Sequence, residues 1–333
     1  MKLRFALFAT SCLFASQVVL AQQGPQSPVE LKPQAAQTLA HATDEMLLAV
    51  ARAGSAANAR LVAVGDHGVI LLSDDGGKTF RQAKAVPIRA ALTSVSFADE
   101  KHGWAAGHWG SILATSDGGE TWTLQRHDTT TDRPLFGIHF TDADHGVAVG
   151  LWSLLLTTQD AGKTWNEVKL QAPPDGGKAD RNLLGIFSRG KTVYVAAERG
   201  MVLRSEDLTN WTYLNTGYKG SFWTGLALKD GTLIVAGLRG SLYRSTDDGK
   251  QWKAMDSGTK SSLTGLAETK DGLLAVGLDG VVQQSSDGGL SFKGSQREDR
   301  LPLTAVIAND EGKPLALSKH GVVGDLLPQT AKK

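Results

Sequence analysis

The chain has 333 residues, with 38 glycines, 10 prolines, one cysteine, 41% hydrophobic and 21% charged residues, and a formal net charge of +1. Near-neutrality excludes a polycation built to wrap nucleic acid, and the lone Cys12 excludes a disulfide framework or a cysteine-ligated zinc or iron–sulfur site. β-Branched and aromatic residues spread throughout exclude a disordered chain, and the length allows one large repeat domain or two ordinary ones.

Residues 1–21 read as a secretory signal peptide. Lys2 and Arg4 precede an apolar run from Phe5 to Leu20, and Val19-Leu20-Ala21 suits cleavage before Gln22. The run is short for a membrane span, and lipid attachment at Cys12 would leave a very short apolar region. Removal of the segment leaves a cysteine-free chain with 33 basic and 34 acidic residues. The expectation is an exported, soluble protein of the periplasm or a lumenal equivalent, with no direct membrane insertion. Residues 22–40, rich in Gln, Pro and Ala, form an extended lead-in. Within it, Pro28-Val29-Glu30-Leu31-Lys32 is a strand without a local partner.

From residue 41 the sequence repeats itself. Ser73 to Phe80 reads SDDGGKTF, Thr115 to Trp122 TSDGGETW and Thr158 to Trp165 TQDAGKTW. Ser205 to Trp211 reads SEDLTNW, Ser245 to Trp252 STDDGKQW and Ser285 to Phe292 SSDGGLSF. The shared aspartates are Asp75, Asp117, Asp160, Asp207, Asp247 and Asp287, a period of 40 to 47 residues. Ahead of each box lies a short apolar strand such as Leu61–Gly65 or Gly146–Gly150. In the second unit, turn residues separate four strands at Leu92–Phe97, Trp104–Gly107, Ser111–Ser116 and Thr121–Gln125. A seventh unit has strands at Leu303–Ala308, Leu315–Leu317 and Gly321–Asp325 and no box after them. One four-stranded sheet cannot bury both faces, whereas seven arranged radially bury them against each other. The fold class is therefore all-β, a seven-bladed β-propeller over residues 41–327 with a tail at 328–333. The orphan strand at 28–32 is expected to pair with residues 321–326 and seal the last blade.

Each box reads as a turn-holding device. The Asp carboxylate accepts backbone N–H groups, Gly supplies positive φ, and the Ser or Thr hydroxyl fixes the approach. The terminal aromatics Trp122, Trp165, Trp211 and Trp252, with Phe80 and Phe292 as equivalents, bury apolar surface between blades. The turns lack the spaced acids of an EF-type calcium loop. The pattern resembles the Asp-box, or bacterial neuraminidase repeat. The longer unit at Val62–Phe80, Ala105–Trp122 and Val147–Trp165 is similar to that of the photosystem II assembly and stability factor family, and the likeness spans essentially the whole mature chain. What this resemblance implies is a non-enzymatic scaffold on the lumenal or periplasmic side of a membrane complex.

Propeller geometry sorts the loops onto two faces. On the first, Arg89, Arg133, Arg181 and Arg300 precede innermost strands, and Arg199, Arg239, His67, Trp109, Trp152 and His320 occupy the turns between second and third strands. Trp223 begins the fifth innermost strand near the channel mouth. This face is read as docking a carboxylate- or phosphate-bearing partner, a membrane protein complex or transporter subunit reached through an acidic segment. Against it stands the reading of solvated loop residues: Asp132, Asp180, Glu198 and Asp299 each adjoin one of these arginines in sequence, and local pairing would cancel its field. The opposite face holds 18 acidic residues against 9 lysines and arginines in its loops and boxes.

His102 and His145 occupy equivalent turns and read as turn-bonding residues. His67, His108 and His320 lie on separate blades, so no metal site is expected, and no cofactor either. Two other functions stay open. A glycoside hydrolase would need a nucleophile such as Tyr218, or an acid pair drawn from Asp132, Asp180 and Glu298, but no spacing selects a pair. An adhesion module would use the same Arg- and Trp-bearing face for a soluble ligand.

Overall fold

The structure is a computed structural model and describes residues 32–56 and 58–326. Seven antiparallel sheets follow one another along the chain, over residues 47–82, 92–126, 135–167, 183–215, 222–254, 263–296 and 303–323. Strand order across each sheet follows chain order, so the strands are lettered a, innermost, to d, outermost. Each a strand contacts the a strands of both neighbouring sheets, and that of the first, Leu47–Arg52, contacts that of the seventh, Leu303–Ala308. The ring closes, and the fold is a seven-bladed β-propeller.

Local sequence explains why each unit adopts this form. The b strands, such as Gly146–Gly150, are buried at every residue, or at all but the first, because a neighbouring sheet covers each face. The first residue of each a strand is fully buried and pairs with the last residue of its b strand, as Leu92 pairs with Gly107. A bulge follows at once. That crowding favours glycine, present in five of the sheets, with Ala197 and Ser318 in the fourth and seventh: a Cβ on Gly107 would lie 2.0 Å from the Ala91 carbonyl oxygen. Three a strands also carry Thr as second residue, and its hydroxyl crosses to the next sheet. Thr93 donates to the Leu135 carbonyl, Thr264 to that of Leu303, and Thr304 to that of Leu47.

Packing runs around the ring in one sense, because the aromatic that ends each box joins the core of the preceding sheet. Trp122 clusters with Val62 and Val64 of the first sheet, and Trp252 with Tyr194 of the fourth. Phe80 of the first sheet clusters with Leu317 of the seventh. Trp104 and Phe140 stack between the second and third sheets with ring centroids 3.4 Å apart.

The seventh sheet has three strands among the described residues. The sealing strand falls on residues 28–32, of which only Lys32 is described, and Lys32 is not in a strand. The described lead-in is tied to the first sheet: Ala36 N–H donates to the Val86 carbonyl, and Leu39 N–H to Gln82 Oε1. A 3-10 turn at Ala42–Asp44 lies against the c strand of the seventh sheet, Gly321–Val323.

Candidate functional site

The turns joining b to c strands share one face with the connections between sheets. In six sheets the tip of this turn is a non-glycine residue in the left-handed region: His67, Trp109, Trp152, Arg199, Arg239 and Asp279, with φ between 54° and 58°. An L-residue there carries roughly 1 kcal/mol of strain. The strain persists because the following connection holds the tip. Trp109 N–H donates to Asp132 Oδ1 at 3.1 Å, Trp152 N–H to Asn182 Oδ1 at 3.1 Å, and Arg239 N–H to Ser262 Oγ at 3.1 Å. The side chains point outward, leaving Trp109 38% and Trp152 57% exposed. His320, in the corresponding turn of the seventh sheet, is also exposed, and its N–H donates to Ser318 Oγ. His67 Nδ1 lies 3.1 Å from Glu45 Oε2.

The arginines of the connections divide into two kinds. Arg89 and Arg300 are exposed, as are Arg199 and Arg239 at the tips, and none of the four forms an ion pair with a described residue. Arg133 instead makes a two-pronged contact with Glu167, at 3.1 and 3.0 Å. Arg181 is only 4% exposed and is paired with Asp175. Its Nη1 has no partner among the described residues. Trp223 lines the central channel, a space of about 470 Å³. His139, the one ionisable residue among the described residues lining that channel, is driven down to a pKa of about 4 by burial.

Adjacent acids do not pair with these arginines as their sequence order suggested. Asp132 accepts the Trp109 N–H, and Glu198 accepts both the N–H and the side-chain amide of Asn182. Asp299 pairs with Arg297, not Arg300. Neighbours in an extended connection project in different directions, so each acid meets whatever the fold brings to its own side. Asp279 completes the set of tips, and its acidic side chain carries none of the basic or aromatic character that marks the other five in the sequence.

On the opposite face, side chains bond inward. Asp75 Oδ1 accepts N–H groups from Lys78 and Thr79, and Oδ2 accepts the Thr79 hydroxyl at 2.6 Å. Ser73 Oγ donates to Asp75 while accepting the Gly77 N–H. The circuit recurs around Asp117, Asp160 and Asp287, and in shorter form around Asp207 and Asp247. The Thr79 hydroxyl and N–H hold Asp75 at a pKa of about 2; the Thr164 groups do the same for Asp160. Trp122 is nearly fully buried, and Trp165, Trp211, Phe80 and Phe292 are half-buried. The formal acidic excess of this face is partly neutralised, because Arg60 and Arg81 bracket Asp74 and Glu120.

Between the fourth and fifth sheets, Asp248 accepts the hydroxyl of Tyr194 and pairs with Arg189 and Arg204. Tyr194 has a fully buried ring, and burial followed by the Asp248 charge pushes its hydroxyl up to about 12. Its hydroxyl thus latches the fourth sheet to the fifth. Tyr218 donates its hydroxyl to the Leu238 carbonyl. His102 and His145 bond Asp99 and Asp142 within their own turns. Among the described residues no acid, histidine or cysteine cluster could hold a metal, and no helix is long and apolar enough to cross a membrane.

A family model described as photosynthesis system II assembly factor YCF48 matches residues 82–136 and 124–280. No curated protein sequence matches. Among solved structures, one described as YCF48 bound to D1 peptide is 19% identical with a TM-score of 0.66, covering 88% of this chain and 97% of that one. YCF48 from Cyanidioschyzon merolae is 14% identical with a TM-score of 0.65, covering 87% and 97%. The WD40 β-propeller domain of Doa1 is 13% identical with a TM-score of 0.63, covering 86% and 93%. At these identities the structural likeness speaks for the fold.

Proposed function

Because this chain belongs to the photosynthesis system II assembly factor YCF48 family, we propose that it is an exported, non-catalytic scaffold. It assists assembly or stability of a membrane protein complex by holding an acidic segment of one subunit on the turn-tip face. The observation that carries this reading is the set of tips. Six bulky or charged residues are kept in a strained backbone conformation where glycine would relieve the strain, and they turn their side chains to solvent. Arg199 and Arg239 at the tips, with Arg89 and Arg300 beside them, supply cations without an ion pair among the described residues, and Trp109 and Trp152 supply flat anchors. A relative with this fold has been solved with a peptide bound, which supports a peptide segment as the recognised element. Arg133 and Arg181 are assigned to holding loops, since internal carboxylates already engage them. The box aspartates and their aromatics are assigned to holding turns and sheets.

The test is capture of detergent-solubilised membrane proteins of the host by the full chain. A variant carrying Arg89→Glu, Arg199→Glu, Arg239→Glu and Arg300→Glu should lose the captured complex and keep its melting temperature. Capture that survives the reversal places docking elsewhere.

A further inference from the structure

A cavity of about 590 Å³ opens at the turn-tip end of the fifth sheet, beneath the connection arriving from the fourth. Its apolar wall includes Tyr218 and Tyr243, with ring centroids 5.6 Å apart. Phe222 backs both rings, 5.3 and 5.4 Å away, and the hydrogen bond from Tyr218 to the Leu238 carbonyl fixes one of them. Lys219 and Arg239 stand exposed among the lining residues, without an ion pair to any described residue. The nearby Asp256 follows Met255 of the wall and is occupied in accepting the Gly258 N–H.

The wall also contains Ser241, whose hydroxyl is buried with no hydrogen-bond partner among the described residues. A buried unpaired hydroxyl is costly and therefore uncommon. The equivalent residue of the second sheet, Ser111, is satisfied: it donates to the His108 carbonyl and meets His127 Nδ1 at 2.8 Å. Counting on from the box tryptophans Trp122 and Trp252, His127 corresponds to Ser257. The Ser257 hydroxyl donates to the Gly240 carbonyl at 2.6 Å instead. The fifth sheet thus lacks the imidazole that meets this hydroxyl in the second.

We propose that this cavity receives one aromatic or large aliphatic side chain of an acidic peptide segment, whose adjacent carboxylate is held by Arg239 and Lys219. The inference rests on the docking reading above and specifies its ligand. An apolar pocket with a few polar groups at its edge fixes one anchoring side chain, and two free cations at its rim select a carboxylate next to it. A segment drawn in by charge alone would bind weakly and with little selectivity; the cavity supplies the selectivity.

NMR titration of the full chain with a blocked Ser-Asp-Phe-Glu-Ser peptide tests this. Replacing Phe by Ala in the peptide should weaken binding by about ten-fold or more, as burial of a whole aromatic side chain implies. Replacing its acids by their amides should do the same, as should Lys219→Glu with Arg239→Glu in the protein. The peptide changes leave the protein untouched, so folding does not confound them. Equal affinity for the Phe and Ala peptides overturns the cavity's role and leaves acidic docking standing. Insensitivity to the acids, or no binding of the Phe peptide while membrane-complex capture persists, also overturns it. Failure of both the peptides and the capture removes the docking reading as well.

Discussion

The two faces of the propeller handle the same backbone problem in opposite ways. Both need residues with positive φ at their turns. The box turns meet the need mainly with glycine, as at Gly76, Gly118 and Gly288, and spend their carboxylates on their own N–H groups. The tips of the other face put His, Trp, Arg and Asp into that conformation and leave the side chains outside. A residue that strains its backbone and gains little burial is retained for something other than stability. Under the proposed function the difference separates residues that hold the ring from residues that meet a partner, and mutation should separate them as well.

The largest effect should come from the close approach beneath the tips. Gly107→Ala places a methyl 2.0 Å from the Ala91 carbonyl oxygen, so the innermost strand must shift to admit it. We expect a loss of about 3 kcal/mol or more, or no folded product, read by urea denaturation. Asp117→Ala comes next, because it strips the box of acceptors for Thr121 and Thr115. A cost of about 2 kcal/mol is expected by the same measurement. If the denaturation midpoint is unchanged, the boxes do not hold the ring.

Acid should expose the box face selectively. Hydrogen bonds hold Asp75, Asp160 and Asp207 near a pKa of about 2 in the folded state, against 3.8 for the free group. A carboxylate depressed on folding stabilises fully above its unfolded pKa and loses that stabilisation as pH falls through the folded one. Melting temperature should therefore hold above pH 5 and drop steeply between about pH 4 and 2. A flat profile across that window would contradict the hydrogen-bond circuits. The smallest effect belongs to the tips: Trp152→Gly should change stability by less than about 1 kcal/mol in either direction, because relief of strain is set against greater freedom of the unfolded chain. The same change should weaken capture of the membrane complex. A large destabilisation would make Trp152 a structural residue.

The repeating fold was readable because seven copies of one pattern carry the same apolar strands, and the shared spacing leaves few arrangements that bury them. Interactions between copies were harder to read. Asp248 reaches Tyr194 and Arg204 across 54 and 44 residues, and no local pattern marks those pairs. Adjacent charges misled for the same reason: Arg133 stands next to Asp132 in the chain but meets Glu167 from an outer strand. The tips were visible as a recurring position, whereas their strained backbone was not, since Trp or Arg at such a place carries no signature comparable to glycine. The cavity beside Tyr243 was invisible, because its wall is assembled from the connection at 218–220, the turn at 238–241 and the outer strand, which no local pattern links.

The one-way packing of aromatics carries a consequence for synthesis. Phe80 packs in a cluster that Leu317 of the seventh sheet completes, and the Leu47 carbonyl accepts the Thr304 hydroxyl. The first sheet to leave the ribosome finds the second soon after it, but its other face must wait, uncovered, until almost the last of the described residues arrive. A nascent chain with this arrangement stays incomplete throughout its elongation, so the timing of its final collapse is set by its last sheet.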